Sequence, residues 1–242
     1  MENNKEQTET ADIETSSEEY AKRFAGPTGE WMLGVQTKFL LDFLSSDNKG
    51  TVLDVGGGHA QTALPLMKPG WEVTVAGSAA QCVLRLQPHV AMGRIYYRTC
   101  NLLKMPFEDK SFDVVVSVRF LPHCSHWQDF IRELCRVSQN KVVVDYPVIM
   151  SFNFFYPLMF KLKRKLEKNT RSFSLFTNRE VDFEFEKNGF YLLRRKRQFF
   201  MPMVAHRVIN NPFLSQVSES IFRAVGFSAL FGSPVMVCYV RK

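Results

Sequence analysis

The sequence predicts an α/β fold built on a parallel sheet, and three observations predict it. Short β-type runs alternate with stretches of helical spacing over residues 51–147. The first of these runs carries an acid near its end and is followed at once by three glycines. A chain of 242 residues with 45% hydrophobic content is also long enough to bury one good core, so a single domain with additions is the simplest count. Sheets of this kind bind ligands at the carboxyl edge of their strands.

The first run, Thr51-Val52-Leu53-Asp54-Val55, leads into Gly56-Gly57-Gly58-His59-Ala60. Glycine tolerates positive φ and has no Cβ, so the backbone can leave the strand sharply and a ligand can approach it closely. Two phosphate-binding readings fail. A dinucleotide fingerprint counted from Gly56 puts Gln61 where its last glycine belongs, and His59-Ala60-Gln61 lacks the Gly-Lys-Ser/Thr of a P-loop. By itself the run also fits a plain tight turn. Further β-type runs at 71–77, 94–100, 112–118 and 141–147 predict the second to fifth strands.

The 51–60 run resembles motif I of the class I S-adenosylmethionine-dependent methyltransferases, in which an acid at the end of a strand precedes a glycine loop. That cofactor has no phosphate but carries an ammonium group and a sulfonium, for which a carboxylate is a suitable neighbour. The stretch from Asn101 to Val115 is similar to the one that small-molecule members carry between their adenine-contacting residue and the fourth strand. The resemblance covers residues 51–147, with weaker similarity in the flanking helices, and points to the type 11 family, which includes quinone- and lipid-modifying enzymes. It implies a Rossmann-like seven-stranded methyltransferase sheet with helices on both faces, the last strand entering antiparallel between the fifth and sixth. It also implies S-adenosyl-L-methionine as cofactor and S-adenosyl-L-homocysteine as product. The implied cofactor-binding positions are Asp54, Gly56, Gly57 and Gly58 at the methionine end, Gly77 and Ser78 at the ribose, Asn101 and Leu102 at the adenine, and Arg119 beyond the fourth strand.

Three positions depart from the family pattern. Ala60 stands in place of a third glycine, a change that costs little if its φ is negative. Gly77 stands where an acid usually takes both ribose hydroxyls; the hydroxyl of Ser78 replaces one such bond but not a bidentate carboxylate contact. Asn101 replaces an aspartate, keeping an acceptor for the adenine amino group while losing the charge.

Around this core the elements follow in order. Seven of the 24 acidic residues fall in the first twenty positions against one of the 31 basic ones, so the body of the chain is strongly basic. Residues 1–15 read as a disordered acidic leader and 16–242 as one methyltransferase domain. Within it, residues 16–47 form an N-terminal helical cover: Ser16-Ser17-Glu18-Glu19 reads as a helix cap, and residues 31–44 as an apolar-periodic helix. The cover either closes the cofactor pocket or simply packs on the sheet. After the core (51–147) come two lid insertions, 148–177 and 201–233, separated by a helix that starts at Thr177-Asn178-Arg179-Glu180 and by a sixth strand from Phe190. In the first insertion the aromatic block 152–160 meets the basic block 161–168, a pattern for a lid over the substrate and equally for an interfacial segment on anionic lipid; the readings are compatible.

Five cysteines in odd number, without CxxC spacing, read as reduced thiols and offer no disulfide framework or zinc site. The acidic, polar start does not read as a signal sequence, which places the chain in the cytoplasm, with peripheral contact at the inner face of a membrane through 152–168. The run Arg194-Arg195-Lys196-Arg197 reads as a solvated strand edge rather than a nucleic-acid patch. Base-methylating motifs are missing after the fourth strand, and Asn211-Pro212-Phe213 reads as a turn into a helix, so nucleic acid ranks below a small-molecule acceptor. Base candidates lie past the strand ends: His123 and His126 after the fourth, Asp145 and Tyr146 closing the fifth, and His206 in the late insertion. The function this predicts is methyl transfer to a small, apolar or aromatic acceptor such as a quinone, phenol or lipid. The alternatives are a non-catalytic binding module and a peripheral membrane adaptor on the same fold.

Overall fold

A computed structural model of the protein describes residues 7–45, 47–151 and 174–242. Its centre is a seven-stranded sheet in the order β3-β2-β1-β4-β5-β7-β6. The strands are β1 (Thr51–Val55), β2 (Glu72–Gly77), β3 (Tyr96–Thr99), β4 (Phe112–Ser117), β5 (Ser138–Tyr146), β6 (Phe190–Arg197) and β7 (Val235–Arg241). The first five run parallel, and β7 enters antiparallel between β5 and β6, as the family resemblance implies.

The central strands are β-branched and buried on both faces, as parallel strands under two helical layers must be. Alternation along β4 sends Val115 to one apolar cluster and Val114, Val116 and the following Val118 to the other. The first face is covered by α6 (Trp127–Val137) and α7 (Asn178–Lys187); the second by α3 (Gly26–Phe43) and α4 (Ala63–Met67). Helix α6 buries Phe130, Ile131, Leu134 and Cys135, the i, i+3/i+4 stripe of a sheet-facing helix. Helix α7 begins at Thr177 as expected, on a capping box with Thr177 Oγ1 accepting from Glu180 N–H and the Glu180 carboxylate accepting from Thr177 N–H. The loop between β2 and β3 carries the one-turn α5 (Gln87–Ala91).

The leader departs from its expected disorder. From Gln7 onward it is folded: α1 (Ala11–Thr15) is followed by α2 (Glu18–Lys22), which is capped by Ser17 Oγ. Asp12 is fully buried and Ala11 joins the main apolar cluster. Polar composition argued for disorder, but a single turn of helix becomes stable when the fold supplies hydrogen-bond partners for its polar side chains.

The late insertion forms α8 (Met203–Ile209), α9 (Pro212–Ala224) and α10 (Phe227–Phe231), packed on α3 and β6. Asn211 caps α9 by accepting from Leu214 N–H, so this Asn-Pro pair does start a helix. The block 152–168 of the first insertion lies outside the described residues. Sheet-edge β6 carries the basic run, paired within the fold: Arg195 with Asp182 at 2.5 Å, Lys196 with Asp42 at 2.7 Å, and Arg197 with the Gly232 carbonyl at 3.0 Å. The five cysteines are free thiols, four of them buried.

Candidate active site at the carboxyl edge of the sheet

Strand register brings the ends of β1, β2, β3 and β4 to one edge, with Val55 beside Ala76 and Gly77 beside Thr99. Gly56 leaves β1 at φ 75°, and a methyl group there would come within 2.6 Å of the Phe120 ring. A Cβ on Gly57 would collide with the Asp54 carboxylate, and one on Gly58 with Ser16 Oγ. The loop therefore needs its glycines for space as well as for φ. Ala60 sits at φ 63°, left-handed rather than negative, so the departure from glycine there carries strain.

Asp54 lies under this loop, and neither carboxylate oxygen makes a hydrogen bond of full geometry. Burial pushes its pKa up to about 7, with the Thr62 hydroxyl and the Ala63 N–H pulling the other way. A buried carboxylate short of partners is matched by a cationic ligand group above it, and the cofactor's ammonium is such a group. His59 is held neutral beside it, its pKa lowered to about 3 chiefly by burial and then by Arg119; Nδ1 accepts from Gln61 N–H at 3.0 Å and Nε2 stands 3.3 Å from the Val118 carbonyl.

Arg119 follows β4 at φ 64°. Its guanidinium donates to Gln36 Oε1 at 2.6 Å and to Gln61 Oε1, and lies 4.0 Å from the Phe24 ring centroid. Its N–H donates to Asp145 Oδ1 at 2.6 Å. Burial raises Asp145 to about 6 against the pull of Arg119 and Gln198, and also raises Tyr20, which Arg119 opposes. The glycine loop, the β4 end, the β5 end and helix α3 thus meet in one buried polar cluster.

The remaining expected positions divide. Ser78 donates from N–H and Oγ to the Asp12 carboxylate at 2.6 and 2.5 Å. Asn101 donates from its amide to the Gln7 carbonyl at 2.9 Å and accepts from Leu103 N–H at 3.0 Å; Leu102 is fully buried. A Cβ on Gly77 would collide with the Tyr97 hydroxyl, so a side chain here would require Tyr97 to shift. His123 lies on the turn after β4, and His126 donates its N–H to Glu9 at 2.8 Å, with Nδ1 3.0 Å from the same oxygen. Two expected candidates stand apart from the cluster. Strand alternation turns Tyr146 away from Asp145, under the sheet, where it donates to Asn178 at 3.2 Å and burial raises it to about 12. His206 is enclosed by Trp31 and Phe199, 3.1 Å from Glu219, and works as an anchor of the insertion.

Sequence reasoning missed Gln36, Gln61, Asp12 and Glu9. Gln36 had a signal: it interrupts the buried stripe Met32, Phe39, Leu40, Phe43 of α3, where an uncompensated amide is costly. The two leader acids had none, since nothing local marks them off from the other acids of that segment.

This arrangement, a glycine loop over a buried acid at the edge of a 3-2-1-4-5-7-6 sheet, is that of a class I methyltransferase domain. Residues 53–143 match the family described as a methyltransferase domain. The fold is shared with magnesium protoporphyrin IX methyltransferase from Synechocystis PCC 6803, solved with bound S-adenosylhomocysteine (13% identity, TM-score 0.64, covering 96% of this chain and 98% of that one). It is also shared with geranyl diphosphate C-methyltransferase from Streptomyces coelicolor A3(2) (16% identity, TM-score 0.63, covering 86% and 79%). A third similar structure is the [4+2]-cyclase SpnF (16% identity, TM-score 0.58, covering 85% and 79%). No curated protein matches the sequence.

Proposed function

We propose that the protein methylates a small, apolar or aromatic acceptor of quinone, phenol or lipid type. The observation that carries the reading is Asp54, a buried carboxylate short of hydrogen bonds beneath a loop closed to any side chain. In this reading Asp54 and Gly56 to Gly58 hold the methionine end of the cofactor, Arg119 its carboxylate, Ser78 the ribose, and Asn101 and Leu102 the adenine. When bound, the cofactor supplies a methyl group already activated by positive sulfur. The chain's part is to hold the acceptor in line, to keep water out and to take the acceptor's proton where it has one. In this reading the proton acceptors are Asp145, raised by burial to about 6 at the end of β5, and His123, on the turn after β4.

The apolar character of the acceptor draws support from the late insertion, which exposes Val208, Phe213, Ile221 and Leu230 to solvent. A surface of that kind supports peripheral contact with an anionic membrane, where such acceptors concentrate. No described helix is long and apolar enough to cross one. A second reading, a non-catalytic binding module, is favoured by Gly77 and by the leader lying against the expected cofactor positions; the [4+2]-cyclase shows that similar structures are not confined to methyl transfer.

Calorimetric titration with S-adenosylmethionine and S-adenosylhomocysteine, with Asp54→Ala as control, tests the choice. Micromolar binding that the substitution abolishes is the expected result. Absence of binding up to millimolar ligand would overturn the enzyme in favour of the module.

A further inference from the structure

The leader does more than cover the sheet edge; it follows the line of positions through which the cofactor would be held. The Gln7 carbonyl takes the Asn101 amide at 2.9 Å. The Glu9 carboxylate takes His126 N–H at 2.8 Å. Ala11 is buried in the apolar cluster that contains Leu102, Ala76 and Phe120. The Asp12 carboxylate takes both donors of Ser78, and Ser16 Oγ lies 2.3 Å from where a Cβ on Gly58 would be. Helix α1 packs on residues 57–59 and 80–83, the two turns that follow β1 and β2. Asn101, Ser78 and Gly58 are the adenine, ribose and methionine positions of the proposed site, and a single segment ten residues long touches all three.

Asp12 is the centre of this contact. The chain lacks an acid at position 77, where the Tyr97 hydroxyl stands against a Cβ, yet the next residue has a carboxylate on its N–H all the same. That carboxylate comes from the leader. It is fully buried and accepts from both donors of Ser78. Glu9 is nearly as deep, at 6% exposure. Acids in a polar leader are buried only where the fold offers donors, and for Asp12 those donors are the Ser78 groups of the proposed ribose position.

We propose that residues 7–16 are an internal occupant of the cofactor groove, pinned by Asp12 on Ser78 and by Glu9 on His126, and that S-adenosylmethionine or its product binds as this segment leaves. The proposal rests on the cofactor reading given above. Occupation from within makes the apparent affinity the intrinsic affinity scaled by the fraction of molecules with the segment out. It also makes the acidic leader the regulator of the site: whatever binds or modifies the released leader raises cofactor affinity.

The test uses the full-length chain. Binding of S-adenosylhomocysteine is measured by calorimetry for the native protein, Asp12→Ala and Glu9→Gln, and amide hydrogen exchange is followed over residues 7–16 with and without the ligand. Occupation from within predicts that Asp12→Ala tightens binding about tenfold, the change that loss of one charge-assisted contact of about 1.4 kcal/mol produces. Glu9→Gln tightens it less, and the ligand speeds exchange in 7–16 in the native chain. Should Asp12→Ala fail to fold, Glu9→Gln and the exchange measurement carry the test. If the ligand instead slows exchange in 7–16 and both substitutions weaken binding, the leader is a clamp that closes over the cofactor; the proposal falls while the cofactor reading stands. If neither native chain nor variants bind, both fall together.

Discussion

Asp54 and Asp145 are buried carboxylates whose charged forms the fold disfavours, and the consequence is a definite pH dependence. Burial raises them from an ordinary 3.8 to about 7 and about 6, so between pH 4 and 7 the folded chain keeps protons that the unfolded chain has lost. The stability they contribute is complete below about pH 4 and is lost as pH rises through 6 to 7. His59 acts in the opposite sense: lowered from 6.5 to about 3, its contribution is complete above 6.5 and is lost on acidification. The two limbs overlap, and because two carboxylates oppose one histidine their sum peaks near pH 4. Asp54→Asn removes most of the alkaline limb, with a gain at pH 8 of up to about 4 kcal/mol from three pKa units at about 1.36 kcal/mol each, and almost none at pH 4. Urea denaturation at the two pH values checks this, and an equal change at both would contradict it. Asp54 was legible because its acid-then-glycine setting is chemically distinctive. Asp12 was not, because its role depends on a partner 66 residues away.

Elements were legible where local chemistry fixed them and obscure where tertiary contacts did. The helix starts at Thr177 and after Asn211 were expected, and local caps, a capping box and an Asn side chain, fix both. Helix α1 is five residues long with no side-chain cap, too short to persist without the groove beneath it. His206 shows the same limit from another side. A histidine in an insertion suits a base, but the fold closes it against Trp31 and gives it to Glu219. That carboxylate also accepts from Phe200 and Met201 N–H, each at 2.9 Å, and so ties α9 to both α8 and the end of the loop after β6. Glu219→Ala leaves one buried and two half-buried donors short of their acceptor and should cost about 2–4 kcal/mol. The thermal midpoint reports the loss, and Glu219→Gln, which keeps an acceptor oxygen, should recover part of it; an unchanged midpoint for the alanine variant would remove Glu219 from this role.

Across the whole molecule the sheet order and the edge at which the site lies were legible from strand alternation and the glycine loop together, whereas the orientation of the late insertion was not. Helix α9 is turned inside out relative to a helix packed on a core. It buries Ser215 and Glu219 and leaves Phe213, Leu214, Val217 and Ile221 in solvent. Val208, Val225, Phe227 and Leu230 extend the same apolar surface, and the exposed charge within the insertion is basic, with Arg223 at the surface while Glu219, its single acid, is buried. An aqueous surroundings gives no reason for that arrangement; an anionic bilayer supplies an apolar layer for the rings and a negative surface for the arginine. Vesicles containing anionic lipid should therefore sediment the protein, and neutral vesicles should do so less. Raising salt should weaken the electrostatic part, since the screening length is already only about 8 Å at physiological strength, while Phe213→Asp with Ile221→Asp should weaken binding at every salt concentration. Sedimentation indifferent to both the paired substitution and the lipid charge would mean that this ridge meets something other than a membrane. The apolar acceptor would then have to reach the site through water.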